Sequence, residues 1–352
     1  MIDGTYDFQI RRSNKLFLNA RNKSDFGYLC QELILRKLHN NIKRIYSVQQ
    51  TDRNIIVRQI KLLLAENTPM WVVRLDVRHF YESIDRNRLI YKMTDDARLS
   101  HNTLVLLQKL FANPVISGEA GLPRGLGISA AMSELYLKYF DLDIKRIEGV
   151  YYYARFVDDI IAFCSSESSR DKVRQTAEKG LESLGLELNS DKSYDWQPKD
   201  TGKDLTYLGY TFRKEGEKSE VKIAEKKVNA IKTRLTKSFV RFAKDRDFDM
   251  LKLRIKYLTG NFTLYQSKTL TPIKVGIHFN YKLATDLSDL TNLDSFYQKL
   301  LHCQRGSLGA RIALTKAQVK QLEKYSFRFG FDKHVNHHFT VDQMVKITNC
   351  WQ

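Results

Sequence analysis

Two short apolar runs, residues 151–156 and 160–164, flank the string Val157-Asp158-Asp159. Runs of that length and composition around a two- or three-residue polar break form a β-hairpin, so an acidic pair is predicted at a hairpin tip. A third run, Trp71-Val72-Val73-Arg74-Leu75, ends at Asp76 and has the character of a buried strand. If the three strands share a sheet, three carboxylates meet at one of its edges. Like charges ~4 Å apart repel by about 4 kcal/mol at an effective dielectric of 20, so such a cluster calls for a cation. Carboxylate and carbonyl oxygens suit Mg²⁺, which is normally held by one or two carboxylates together with substrate phosphates. A pair of such ions, Mg²⁺ or Mn²⁺, serves polymerases by activating a hydroxyl and neutralising the leaving pyrophosphate. Taken alone, an Asp-Asp pair is equally at home in a polar turn, and its weight comes from what surrounds it.

The surrounding chain supplies the rest of a layered domain. Residues 1–70 are mainly helical, with apolar periodicity at Phe26, Leu29, Leu33, Leu35 and Leu38 and again over residues 60–64. A helical segment is predicted over 89–110, a Gly-rich turn over 118–127, and helices over 129–146 and 170–184. Short strands follow near 186–188 and 207–212. This order gives an α+β fold, with helices on one face of a largely antiparallel sheet.

After about Arg213 the pattern changes. Ala224, Val228, Ile231, Leu235, Phe239 and Phe242 recur every three or four residues, with Lys226, Lys227, Lys232, Arg234, Lys237, Arg241 and Lys244 mostly on other faces. A second helix carries Phe248, Leu251, Ile255 and Leu258 on one face and stops at Gly260. Capping boxes, Thr315 with Gln318 and Thr340 with Gln343, announce two more.

Of the formal charge of +18, residues 213–352 hold 27 Lys/Arg against 13 Asp/Glu, a net of +14. A polyanion is the natural partner of such a surface, and nucleic acid suits it better than a membrane because no Trp-anchored amphipathic helix accompanies the charge. At 352 residues the chain exceeds the ~250–300 that one core usually holds. No stretch approaches the ~18 apolar residues of a membrane helix, and no secretory signal is evident, so the expected address is the cytoplasm. Cys30, Cys164, Cys303 and Cys350 show no paired spacing, and His334, His337 and His338 lack a ligand-spaced partner, so neither a disulfide framework nor zinc is expected.

Five strings in order sharpen the picture. Leu75-Asp76-Val77-Arg78-His79-Phe80-Tyr81-Glu82-Ser83-Ile84 resembles the first catalytic motif of reverse transcriptases, and Gly121-Leu122-Pro123-Arg124-Gly125-Leu126-Gly127-Ile128-Ser129 the second. Phe156-Val157-Asp158-Asp159 is similar to their third, Leu188-Asn189-Ser190-Asp191-Lys192 to their fourth, and Tyr207-Leu208-Gly209-Tyr210 to their fifth. Any one would be weak, since short patterns recur by chance; the order makes the signal.

The resemblance implies a right-hand polymerase: helical fingers in 1–70 with 90–120 contributing, an antiparallel-sheet palm in 71–212, and a basic α-helical thumb in 213–352. It implies that Asp76 and Asp158 bind two metals, with Asp159 assisting and the Val77 carbonyl completing one shell. Phe80, Tyr81, Arg124 and Gly125 would line the nucleotide, with Tyr81 under the sugar, where its ring excludes a 2′-hydroxyl. Lys192 would stand near the pyrophosphate, and Leu208 and Gly209 would grip the primer end. The glycines at 121, 125 and 127 would let the backbone approach a base pair, and Ser129 would cap the following helix. Arg53 and Arg58, shortly before the first palm strand, are candidates to clamp the triphosphate.

The length leaves no room for the protease, RNase H or integrase of a retroviral polyprotein. Gly-Leu-Pro-Arg-Gly-Leu-Gly-Ile-Ser-Ala followed by Met132-Ser133-Glu134-Leu135-Tyr136 most resembles the smaller polymerase subunit of type 3 bacterial defence-associated reverse transcriptases. That resemblance implies anti-phage defence, an RNA template, dNTPs and a DNA product. It also implies a non-coding RNA and a second reverse transcriptase subunit as partners, and it allows an oligomer. Three rivals share the palm: template-independent or protein-primed DNA synthesis, RNA synthesis, and a non-catalytic RNA-binding scaffold.

Overall fold

The computed structural model describes residues 8–12, 16–18, 26–66, 68–199, 202–216, 218–265, 272–303 and 306–351. They divide into two compact units, one within residues 1–56 and 67–203 and the other within 57–66 and 204–352.

The first unit opens on a short antiparallel hairpin, β1 (Ile10–Arg12) and β2 (Leu16–Leu18), within the 1–70 region expected to be mainly helical. Helices α1 (Phe26–Ile45) and α2 (Arg53–Ala65) follow, and the chain passes to the second unit within α2, at Val57. Strand β3 (Trp71–Arg78) leads through α3 (Phe80–Ser83) to α4 (Arg86–Asp95), α5 (His101–Ala112) and α6 (Pro114–Ser117). The helix predicted over 89–110 is therefore two, the second capped by Ser100, whose side chain accepts from the Thr103 N–H. The helix predicted over 129–146 likewise breaks at Leu137 into α7 (Gly127–Tyr136) and α8 (Lys138–Lys145). Ser129 is not a cap: it lies inside α7, buried, and its hydroxyl donates to the Pro123 carbonyl at 2.6 Å. Strands β4 (Val150–Phe156) and β5 (Asp159–Cys164), helix α9 (Glu167–Ser183), and strands β6 (Glu187–Leu188) and β7 (Tyr194–Trp196) complete the unit.

Its sheet runs β4-β5-β3-β6, with β7 also paired to β3, and every pairing is antiparallel. Side chains alternate across a strand, and both faces of this sheet bury apolar residues. Val73, Leu75 and Val77 of β3 and Ile160 and Ala162 of β5 enter the core with Leu135, Phe140, Val173 and Leu181 from α7, α8 and α9. Each of the larger side chains stabilises the fold by about 1.5–3 kcal/mol. Arg74, Asp76 and Asp159 fall on the opposite parity, together with buried Val72, Ile161 and Phe163.

The second unit begins with an antiparallel meander of β8 (Leu205–Tyr207), β9 (Tyr210–Glu215) and β10 (Lys218–Ile223). Helix α10 (Glu225–Asp245) buries Val228, Ile231, Leu235, Phe239 and Phe242, while Lys226, Lys227, Arg234, Lys237, Arg241 and Lys244 are exposed. Then come α11 (Phe248–Thr259), the hairpin β11 (Asn261–Tyr265) and β12 (Pro272–Gly276), α12 (Ile277–Tyr281) and α13 (Ser288–Leu301). Helices α14 (Gly306–Ile312), α15 (Lys316–Leu322), α16 (Phe327–Asp332) and α17 (Val341–Asn349) close the chain. Both capping boxes are formed, at α15 and α17. Fully buried Asn261 pins this end of the unit, donating its amide to the Gly330 and Val335 carbonyls and accepting from the His278 N–H. Of the three histidines expected at the surface, His334 and His338 are exposed, whereas His337 is half-buried with its ring against Gly260. Among the described residues no helix is long and apolar enough to cross a membrane.

Candidate active site

Asp76 lies directly opposite Asp159 in the β3–β5 register, and the Val77 N–H donates to the Asp158 carbonyl at 3.2 Å. Asp76, 82 residues before the Asp158-Asp159 pair in sequence, thus shares one strand end with both. The hairpin turn consists of Val157 and Asp158 alone, closed by the Phe156–Asp159 pair. Val157 has φ 62, a region that β-branched residues seldom enter.

Asp76 is 3% exposed and held on all sides. Its N–H donates to the Ser193 hydroxyl at 3.1 Å, and its carbonyl accepts from the Asn189 N–H at 2.7 Å. Its carboxylate accepts from the Asn189 side chain and from Lys192 Nζ, both at 3.0 Å. Lys192, expected at the pyrophosphate, is therefore the ion-pair partner of Asp76 here. Asp159 is paired with Arg74, 3.3 Å away on β3.

Burial, then the neighbouring Asp159 and Asp76, pushes the Asp158 carboxyl above its ordinary range. Asp159 is also raised, by burial and Asp76, against the pull of Arg74 and Lys192. Among the described residues no three His, Cys, Asp or Glu side chains form a group that could hold a metal ion. Mg²⁺ needs no such cage, because substrate phosphates and water complete its shell around one or two carboxylates. Adjacent hard oxygen donors that raise one another's affinity for protons are the donor set such an ion fits.

After β3 the chain turns at His79, φ 45, into α3. The turn sends Phe80 and Tyr81 to different places. Phe80, expected at the nucleotide, is 2% exposed in the core and meets Tyr81 edge-on at 5.5 Å between ring centroids, so it backs the tyrosine and cannot line a ligand. Tyr81 is half-buried, and burial above all pushes its hydroxyl above the ordinary range. Arg124 lies over the Tyr81 ring at 5.5 Å and forms a two-point ion pair with Glu82, at 2.6 and 3.1 Å.

Gly121, φ 74, has the job of close approach, but to its own chain: a Cβ there would overlap the Tyr81 carbonyl and the Glu82 backbone, and the Leu122 N–H donates to that same carbonyl at 2.6 Å. Gly125, φ 107, supplies a second backbone conformation closed to most side chains. Gly127 has open space where its Cβ would be.

A family model described as "Reverse transcriptase (RNA-dependent DNA polymerase)" matches residues 28–212, more than half of the chain. The chain belongs to the reverse transcriptase family. Solved structures similar to this reverse transcriptase include telomerase from Candida albicans in complex with a TWJ fragment of telomeric RNA: 11% identity, 91% of this chain and 51% of that one covered, TM-score 0.43. The corresponding Candida tropicalis complex gives 12% identity, 91% and 56% coverage and a TM-score of 0.44. The chain spans about half the length of these structures. No curated protein matches it.

In this reverse transcriptase Asp76, Val77, Asp158, Asp159, Lys192, Tyr81 and Arg124 all belong to the first unit, as does Arg53 in the opening turn of α2. Arg58, exposed further along that helix, and Leu208 and Gly209 belong to the second. Leu208 and Gly209 form the two-residue turn between β8 and β9, with φ 47 and 80, the mirror-image geometry that tight hairpins favour.

Sequence reasoning missed several residues of the site: Arg74, Glu82, Asn189, Ser193 and, above all, Arg155. Arg155 is 5% exposed. Its guanidinium reaches Glu134 of α7 and Asp141 of α8, each at 2.7 Å, and the Val157 carbonyl at 3.0 Å. Tyr153 donates to Asp141 at 2.6 Å. One signal was available: an arginine inside an otherwise apolar strand, two residues from the acidic tip, has to find buried partners.

Proposed function

We propose that this reverse transcriptase is an active RNA-directed DNA polymerase that works by two-metal nucleotidyl transfer, copying a non-coding RNA in bacterial defence against phage, with a second polymerase subunit as partner. The observation that carries the polymerase reading is the register pairing of Asp76 with Asp159, next to Asp158 at the hairpin tip. Asp76 and Asp158 would hold the divalent ions, with Asp159 and the Val77 carbonyl assisting. Bound there, such ions supply charge neutralisation to the triphosphate and a more nucleophilic 3′-hydroxyl.

The chain's own residues do the rest. Lys192 carries its positive charge at the Asp76 carboxylate, within the region where the pyrophosphate would leave. Tyr81, backed edge-on by Phe80, presents its ring to the sugar. Arg124, held by Glu82, covers the outer face of that ring. The exposed cations of α10 would grip template–primer phosphates as a thumb. The defence role and its partners rest on the resemblance of the second motif and of Met132-Ser133-Glu134-Leu135-Tyr136 after it.

Primer extension on a defined RNA, with the product sequenced, tests the reading. DNA complementary to the RNA is expected, and Tyr81→Ala should raise ribonucleotide incorporation. Product unrelated to any supplied RNA would favour template-independent synthesis and remove the proposal.

A further inference from the structure

The Arg155 cluster lies beneath the hairpin tip, and no catalytic step described above uses it. Three facts make it more than a buried ion pair. First, one of the guanidinium's bonds goes not to a carboxylate but to the carbonyl of Val157, the residue just before Asp158. Second, Val157 sits at φ 62, and an L-residue with a branched Cβ stays in that region only when its surroundings hold it there. Third, the two carboxylates that fix the guanidinium come from separate helices, Glu134 from α7 and Asp141 from α8, so the tip is tied to both.

We propose that Arg155 is a positioning residue, which holds Val157 in its left-handed conformation and thereby fixes where the Asp158 carboxylate stands. The inference rests on the reading of Asp158 as a metal-binding residue. Four of the guanidinium's five N–H bonds go to the two carboxylates and the fifth to the Val157 carbonyl; that fifth bond, to the tip, is what the positioning role requires. Arg155 suits it because its planar fork reaches several acceptors at once, which the single ammonium of lysine cannot.

The test uses the full chain without nucleic acid, with Mn²⁺ as the probe, read by electron paramagnetic resonance beside thermal unfolding, and then Mg²⁺-dependent primer extension. Arg155→Lys keeps a positive charge for Glu134 and Asp141 but cannot span all the acceptors. Mn²⁺ binding should weaken by about tenfold to a hundredfold, and the Mg²⁺ concentration for half-maximal extension should rise in step. Asp158→Asn is measured alongside. If Asp158→Asn weakens Mn²⁺ binding while folded Arg155→Lys stays within twofold of the parent, the positioning inference is overturned and the reading of the carboxylates stands. If Asp158→Asn also binds Mn²⁺ normally, that reading fails and the inference with it. Should Arg155→Lys not fold, Asp141→Asn, which frees one side of the guanidinium, decides by the same criterion.

Discussion

Gly121 and Gly127 lie six residues apart in one motif, and the structure gives them opposite roles. At Gly121 two costs combine on substitution by alanine. Its φ of 74 is a conformation that costs an L-residue roughly 1–2 kcal/mol. Its new Cβ would overlap the Tyr81 carbonyl and the Glu82 backbone, neither of which can swing aside, and forced overpacking costs about 1–3 kcal/mol. Gly121→Ala should therefore destabilise the first unit by about 2–5 kcal/mol, a large share of the roughly 5–15 kcal/mol that a domain has. At Gly127, the first residue of α7, a methyl group meets nothing within 4 Å, and alanine is the better helix former. Gly127→Ala should leave stability unchanged or raise it by up to about 0.5–1 kcal/mol. Urea unfolding followed by tryptophan fluorescence measures both, because Trp71 and Trp196 lie in the first unit and a Trp351→Phe background silences the second. A loss below about 1 kcal/mol at Gly121, or equal losses at the two positions, would refute the packing argument.

Asp158→Asn should cut nucleotide incorporation at least about a hundredfold, yet raise the unfolding temperature in the absence of divalent ions. Its raised folded-state pKa means that its stabilising contribution exists below the ordinary carboxylate range near 3.8 and is lost as pH rises through the folded value, so at neutral pH the ionised group opposes folding. The gain should shrink as pH falls, and a variant that melts below the parent at pH 7 would contradict it. Asp286 is the reverse case: the Ser288 N–H and then Lys222 pull its carboxyl down to about 2, so its contribution is present above about 3.8 and disappears as pH falls through about 2. Asp286→Asn should cost about 1 kcal/mol at pH 7, since both partners of the pair remain partly exposed, and progressively less as pH falls through about 2, as acid-unfolding curves would reveal. Template–primer affinity should fall with a log–log salt slope steeper than about −3; a shallower slope would deny α10 its phosphate contacts.

What sequence reading could reach was set by the range of the forces involved. The hairpin with Asp158 in its turn, the apolar face of α10 and the capping boxes at Thr315 and Thr340 are written in spacings of two to four residues, and each is formed where expected. The misses depend on partners that spacing does not encode. Ser129 follows a turn and looks like a cap, but α7 begins two residues earlier and leaves its hydroxyl for Pro123. Phe80 and Tyr81 are neighbours in the motif, and the left-handed turn at His79 decides which is buried. Arg74 finds Asp159 across 85 residues, and Asn189 finds Asp76 across 113. The first motif could be recognised by its letters, while the cradle that holds its aspartate could be seen only in three dimensions.

The pairing of Asp76 with Lys192 and of Asp159 with Arg74 has a consequence for how the chain is made. A protein whose ligands have no counter-charge of their own waits for its ion before it can fold. Here two internal ammonium and guanidinium groups already offset much of the acidic edge, so the polypeptide can reach its native state in a solution stripped of divalent ions. Chelators should silence it without unfolding it.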